Sequence, residues 1–180
     1  MDELKEADQV TSVATMLELL RILSGASMST TEQAYSKWCK ERFPLPTKRD
    51  IFELEERISV RFPEHYRGYL LEWNGGRFRE PDIVDSTECR LDSLLWMSGI
   101  HAPVDYAVLG RQYDLSLFED NDPPIIIPIG RTTTNGLIMI NAVIGDESDG
   151  TVFLRTIQQE TIPLCDTMEE FFTLLRDSEL

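Results

Sequence analysis

Two histidines, three cysteines and a long series of carboxylates are the residues of this chain whose types could do chemistry. His101 precedes Asp105 in a loop-like stretch, the composition of a dyad in which a carboxylate orients an imidazole for general-base work. No G-x-S-x-G elbow supplies a nucleophile for such a base, so the pair reads as polar loop residues. His65 falls within a helical pattern and reads as a solvated helix residue. Without H-E-x-x-H spacing, two histidines do not make a histidine-rich metal site. The segment Asp146-Glu147-Ser148-Asp149-Gly150 has oxygen ligands suited to calcium, but it lacks the D-x-D-x-D-G register and the closing bidentate glutamate. It reads as a hairpin tip in solvent. Cys39, Cys89 and Cys165 are odd in number, far apart and without a C-x-x-C pair, which argues against a disulfide framework and a zinc ribbon. They are expected as reduced thiols that pack like small hydrophobes. Neither G-x-x-x-x-G-K-[ST] nor G-x-G-x-x-G occurs, and Asn74-Gly75-Gly76 closes a helical pattern instead of opening one, so no phosphate cradle is expected. The expectation is therefore no catalytic set, no metal and no cofactor, and a hydrolase working through unrecognised carboxylates is the least favoured reading.

The carboxylates themselves are the stronger signal. The 180 residues carry 17 basic against 32 acidic side chains, a formal charge of −15. Such a field repels nucleic acid and anionic lipid, so neither is an expected partner. The excess lies in the second half of the chain. Between residues 80 and 123 the ten carboxylates of Glu80, Asp82, Asp85, Glu88, Asp92, Asp105, Asp114, Glu119, Asp120 and Asp122 face only Arg90 and Arg111, a local net of −8. One reading is a charged surface that maintains solubility. The sharper one is a docking surface for a basic protein partner, with Trp96, Tyr106 and Tyr113 as either apolar anchors or core residues.

The elements that must position these groups are legible from periodicity. Residues 4–23 place Val10, Val13, Leu17 and Leu20 at helical spacing, closed by Ser24-Gly25. Ser29-Thr30-Thr31-Glu32 has the form of a capping box, and the helix it opens carries Tyr35, Trp38 and Cys39 on one face and is expected to run to Pro44-Leu45-Pro46. That Pro-x-Pro reads as a seam between an N-terminal helical pair, residues 1–46, and a domain over 47–180. Thr47 to Asp50 can cap a helix bearing Ile51, Leu54 and Ile58. Pro63 sits in the first turn of the next, with Tyr66, Tyr69, Leu70 and Trp73 as its stripe and Asn74-Gly75-Gly76 as its stop. From Arg77 to Cys165 short β-branched runs predict strands, at residues 125–127, 137–140 and 151–154, with Asn135-Gly136 as a turn and 145–150 as a hairpin loop. Residues 85–121 show no clear pattern. Thr167-Met168-Glu169-Glu170 predicts a final capped helix with Met168, Phe171, Phe172 and Leu175 on its buried face. No apolar run approaches the roughly 18 residues of a membrane span, and no basic start followed by an apolar stretch marks a secretory signal, so a cytoplasmic protein is expected.

Ile51-x-x-Leu54-Glu55, Arg61-Phe62-Pro63-x-x-Tyr66-Arg67-x-Tyr69-Leu70 and Trp73-Asn74-Gly75-Gly76 together resemble the opening of the SUKH superfamily, the Smi/Knr-like domains. Ile127-Pro128-Ile129-Gly130, Asn135-Gly136-Leu137-Ile138, Gly150-Thr151-Val152-Phe153 and Thr167 to Phe172 are similar to that family's later strands and closing helix, in the same order. The likeness spans about residues 51–176. Arg131-Thr132-Thr133-Thr134 stands where many relatives have an acidic residue, so a role tied to that acid is not carried over. The resemblance implies an α+β fold with a mixed, largely antiparallel sheet packed by helices and no known catalytic constellation. Bacterial members are mostly immunity proteins that neutralise polymorphic or contact-dependent toxins, whereas some fungal members regulate cell-wall synthesis and signalling. The first implies a basic toxin domain as partner, such as a nuclease. The second implies a scaffold, with residues 1–46 as an oligomerising or tethering element.

Overall fold

The computed structural model describes residues 28–103, 126–142 and 150–178. The helix expected over 4–23 and most of the hairpin loop expected at 145–150 lie outside the described residues.

The first described helix, α1 (Thr30–Trp38), starts where Ser29 Oγ accepts the Glu32 N–H at 3.2 Å. It stops earlier than its sequence suggests. Cys39 turns extended, and Cys39–Arg42 becomes strand β1, paired antiparallel with β2 (Gly76–Phe78). Lys-Glu-Arg is helix-favouring locally, but pairing with a distant strand satisfies the same backbone groups and outweighs a propensity difference of only a few tenths of a kcal/mol per residue. Helix α2 (Lys48–Ile58) opens on a complete capping box, in which Thr47 Oγ1 accepts the Asp50 N–H and Asp50 accepts the Thr47 N–H at 2.7 Å. Helix α3 (Glu64–Glu72) begins one residue after Pro63, which is the N-cap rather than the first helical residue.

The sheet supplies the rest. Its remaining strands are β3 (Asp82–Val84), β4 (Arg90–Met97), β5 (Ile126–Thr132), β6 (Leu137–Asn141), β7 (Val152–Arg155), β8 (Thr161–Cys165) and β9 (Leu175–Arg176). The main order is β1-β2-β4-β5-β6-β7-β8, with β3 joining β4 to β9. Every pairing among the described residues is antiparallel. β3 and β4 arise at and within the stretch whose sequence showed no clear pattern. The last helix, α4 (Met168–Thr173), is capped by Thr167 as expected, yet Leu175 leaves it for β9. All four residues of that predicted stripe are buried.

The core lies between the helices and one face of the sheet, and aromatic rings dominate it. Tyr35 of α1 contacts Trp73, Phe78 and Phe172 at centroid distances of 4.6, 5.3 and 5.6 Å, and its hydroxyl meets that of Tyr69 at 2.7 Å. Such pairs add about 0.5–1.5 kcal/mol each beyond the area they bury. α1 and β1 thus share one core and one sheet with the elements that follow the Pro-x-Pro at 44–46.

Candidate functional site

The β3–β4 hairpin carries the described part of the acidic segment, and burial divides its carboxylates into two groups. Asp82 and Asp92, expected on the surface, are each only 7% exposed. Asp82 accepts from Ser93 Oγ at 2.7 Å and pairs with Arg90 Nε at 2.9 Å. Asp92 accepts from the Ser93 N–H at 2.7 Å and from the hydroxyls of Thr133 and Thr134. Burial pushes the Asp92 carboxyl up, but these donors together hold it below the usual carboxylate range. Both side chains work inside the molecule, where they fasten β4 to the turn after β5 and to its own hairpin. Thr133 and Thr134 supply hydroxyl donors to the buried Asp92 carboxylate.

Glu80, Asp85 and Glu88 remain accessible. Asp85 Oδ1 accepts from the Thr87 hydroxyl, the Cys89 N–H and the Thr87 N–H, which holds its carboxyl below the ordinary value and shapes the turn. Glu88 makes a two-point pair with Arg176 of β9, at 2.8 and 3.1 Å. Trp96 is half-buried on β4, directly across from Arg131, whose guanidinium lies 5.9 Å from its ring centroid. Asp105, Tyr106, Tyr113, Asp114, Glu119, Asp120 and Asp122 lie outside the described residues.

The histidines are engaged elsewhere. His65 is half-buried rather than solvated: its Nδ1 accepts the Met168 N–H at 3.4 Å, and its ring lies so close to Gly150 that a Cβ there would come within 2.2 Å of Nε2. It bridges α3 to the start of α4. His101 approaches Asp50 at 3.4 Å, and Asp105, its expected partner, lies outside the described residues. Asp50 is held down to about 2, first by the Thr47 N–H and hydroxyl and then by His101. Burial pushes the Cys165 thiol up to about 12 and raises Cys39, which makes both poor nucleophiles. Among the described residues no group of three or more His, Cys, Asp or Glu side chains is placed to hold a metal ion, and no helix is long and apolar enough to cross a membrane.

The motif residues are structural pins. Asn74 is fully buried at φ 47°, its Oδ1 accepting the Ile100 N–H at 3.0 Å and its Nδ2 donating to Pro44 O. Gly75 follows at φ 78°, where a Cβ would meet Met97 O and Ser98 O at 2.5 Å. Gly76 begins β2, and Trp73 lies beneath the Arg42 guanidinium at 4.8 Å.

A feature that sequence reasoning missed lies on the outer face of α2 and α3. Lys48, Ile51, Phe52 and Glu55 face Glu64, Arg67, Gly68 and Leu71 across an open groove of about 670 Å³, with Arg61 at its edge. Phe52 is 53% exposed. A Cβ on Gly68 would meet nothing within 4 Å, although a glycine inside a helix costs about 1 kcal/mol relative to alanine. Phe52 off the buried stripe of α2 and a glycine inside α3 were the available signals. Beneath the groove Glu55 is 3% exposed, accepting from the Phe62 N–H and Arg67 Nε at 2.7 Å each and from Arg61 at 3.3 Å.

Fold and surface together define an α+β protein with an antiparallel sheet, helices over its core and an open groove on its helical face. Comparison with family models makes the class specific. Residues 45–174 match the SMI1 / KNR4 family (SUKH-1), and the chain belongs to that family. The match starts after α1 and β1, which nevertheless share its core. No curated protein matches the chain.

Proposed function

We propose that this chain is a non-enzymatic immunity protein of the cytoplasm, which binds and neutralises a toxin domain with a basic active cleft, as a nuclease has. The observation that carries the reading is the local net charge of −8 over residues 80–123 in a chain of −15. Opposed fields steer encounter, and association could reach about 10⁸ M⁻¹s⁻¹ at low salt. Family membership supports a binding role, since bacterial relatives are mostly immunity proteins. Of the described acids in residues 80–123, Glu80, Asp85 and Glu88 are accessible, Glu88 with its charge shared by Arg176 and Asp85 engaged in its own turn, whereas Asp82 and Asp92 are buried.

The test is co-expression with the C-terminal domain of a large secreted protein encoded directly upstream. Growth rescue is the expected result, together with stopped-flow association that slows steeply as salt rises. Replacing Glu80, Asp85 and Glu88 by lysine should slow association further at low salt. Absence of rescue, or an association rate indifferent to ionic strength, would discard the proposal.

A further inference from the structure

We propose that the groove between α2 and α3 is a second docking site, distinct from the acidic surface proposed above, and that its occupant is an acidic amphipathic helix of a partner protein. Each wall is one helix face, residues 48, 51, 52 and 55 against 64, 67, 68 and 71, so the groove extends along about two turns or ~10 Å. That is the footprint of a helix laid into a groove through anchors at i, i+3 or i+4, and i+7.

Two observations fix the chemistry of the occupant. The first is apolar space: Phe52 and Leu71 line the groove, and Gly68 leaves room that nothing in the described chain fills. An internal packing reason for Gly68 would show as a neighbour that a Cβ strikes, as it does at Gly75. The second is charge. Glu55 is buried and engaged by Arg61, Arg67 and the Phe62 N–H, and Arg61 also pairs with Glu56 at 2.5 Å, so the charges of Glu55 and Arg61 are answered within the wall. Arg67 uses only Nε for that bond, which leaves its terminal amino groups as donors along the groove. The exposed ammonium of Lys48 has no partner among the described residues. Glu64 is the one exposed carboxylate of the lining. A chain of net charge −15 thus presents the Lys48 ammonium and the outer end of the Arg67 guanidinium beside an apolar slot here, the complement of an acidic helix and the reverse of what the acidic surface proposed above would attract.

The probe is a fluorescein-labelled synthetic helix with leucine and phenylalanine on one face and glutamates flanking them, compared with the same peptide carrying lysines in place of the glutamates. Anisotropy with the full chain should give saturable binding of the glutamate peptide only, and amide chemical-shift changes should concentrate on residues 48–71. Gly68→Trp should weaken that binding at least about tenfold by filling the slot, and Lys48→Glu should do so by reversing its charge. Gly68→Ala, which meets no neighbour, should raise the melting temperature and confirms that the position tolerates a side chain. Equal binding of both peptides, binding of neither, shifts centred outside 48–71, or a folded Gly68→Trp that binds like the parent would each overturn the proposal. Toxin rescue, which draws on Glu80, Asp85 and Glu88, should be unaffected by Gly68→Trp, so the two sites fail independently.

Discussion

Glu55 shows how a single side chain can join two helices. It sits at 3% exposure with the Phe62 N–H and two guanidinium groups around it, and those arginines keep about 40% of their side-chain area in solvent. Removing the carboxylate leaves a buried N–H without an acceptor and Arg67 without its ion-pair partner, whereas Arg61 keeps Glu56 at 2.5 Å. Half-solvated arginines recover part of the loss, so Glu55→Ala should cost about 2–3 kcal/mol, below the ~3–5 of a fully buried broken pair. Glu55→Gln, which keeps an acceptor for Phe62, should cost clearly less. Urea midpoints at unchanged slope measure both, and equal losses in the two variants would refute the role given to the N–H. Asp50 makes a pH-dependent contribution. Its folded pKa of about 2 lies below the ordinary 3.8, so the cap on α2 is complete above about pH 4 and is lost as pH falls through about 2. Asp50→Asn should therefore flatten the decline of the urea midpoint between those limits, and an unaltered acid branch would contradict this. Asp92 could not be read as buried from the sequence, because what holds it is distant: it depends on Thr133 and Thr134, some 40 positions away.

Elements were legible where their signals are local. Ser29, Thr47 and Thr167 each accept from the backbone three residues ahead, as a capping motif requires, and each marks a true helix start. The ends of elements were less legible. β1 is Cys-Lys-Glu-Arg, polar and mostly exposed, with no alternation to announce a strand; it exists because β2 offers it backbone partners. β4 hides its period because Asp92 and Ser93 are buried beside Leu94, so polar letters occupy inward positions. The turn from α3 into β2 depends on Asn74 and Gly75, and here chain geometry is decisive. Gly75→Ala would combine a left-handed φ of 78° with a Cβ at 2.5 Å from two carbonyl oxygens of residues 97 and 98. Strain and overpacking together predict a loss of about 3 kcal/mol, read as a fall in urea midpoint. The same substitution at Gly68 is expected to be stabilising, so the pair separates glycines that the fold needs from one that it does not. A Gly75→Ala variant as stable as the parent would mean that the turn relaxes and that β2 is not held by it.

For the whole molecule the dominant fact is charge. With a net charge of −15, at 0.01 M salt, where the Debye length is ~30 Å, even charges well separated on the fold feel one another. At 0.15 M salt the length shrinks to about 8 Å, and only near neighbours interact. Two effects then compete. Screening weakens exposed ion pairs such as Lys37–Asp177 and Arg176–Glu88, each worth about 0.2–1 kcal/mol at most. It also relieves the mutual repulsion of the excess carboxylates, which acts over the whole surface. With 32 acidic against 17 basic side chains the second effect should win, so raising sodium chloride over this range should raise the urea midpoint at pH 7. The same salt should slow association with a basic partner, because there the fields attract. Stability and association rate, measured in the same series of buffers, should therefore move in opposite directions. A urea midpoint that falls with salt would mean that individual ion pairs outweigh the net field, and the steering assigned to that field would lose its physical basis.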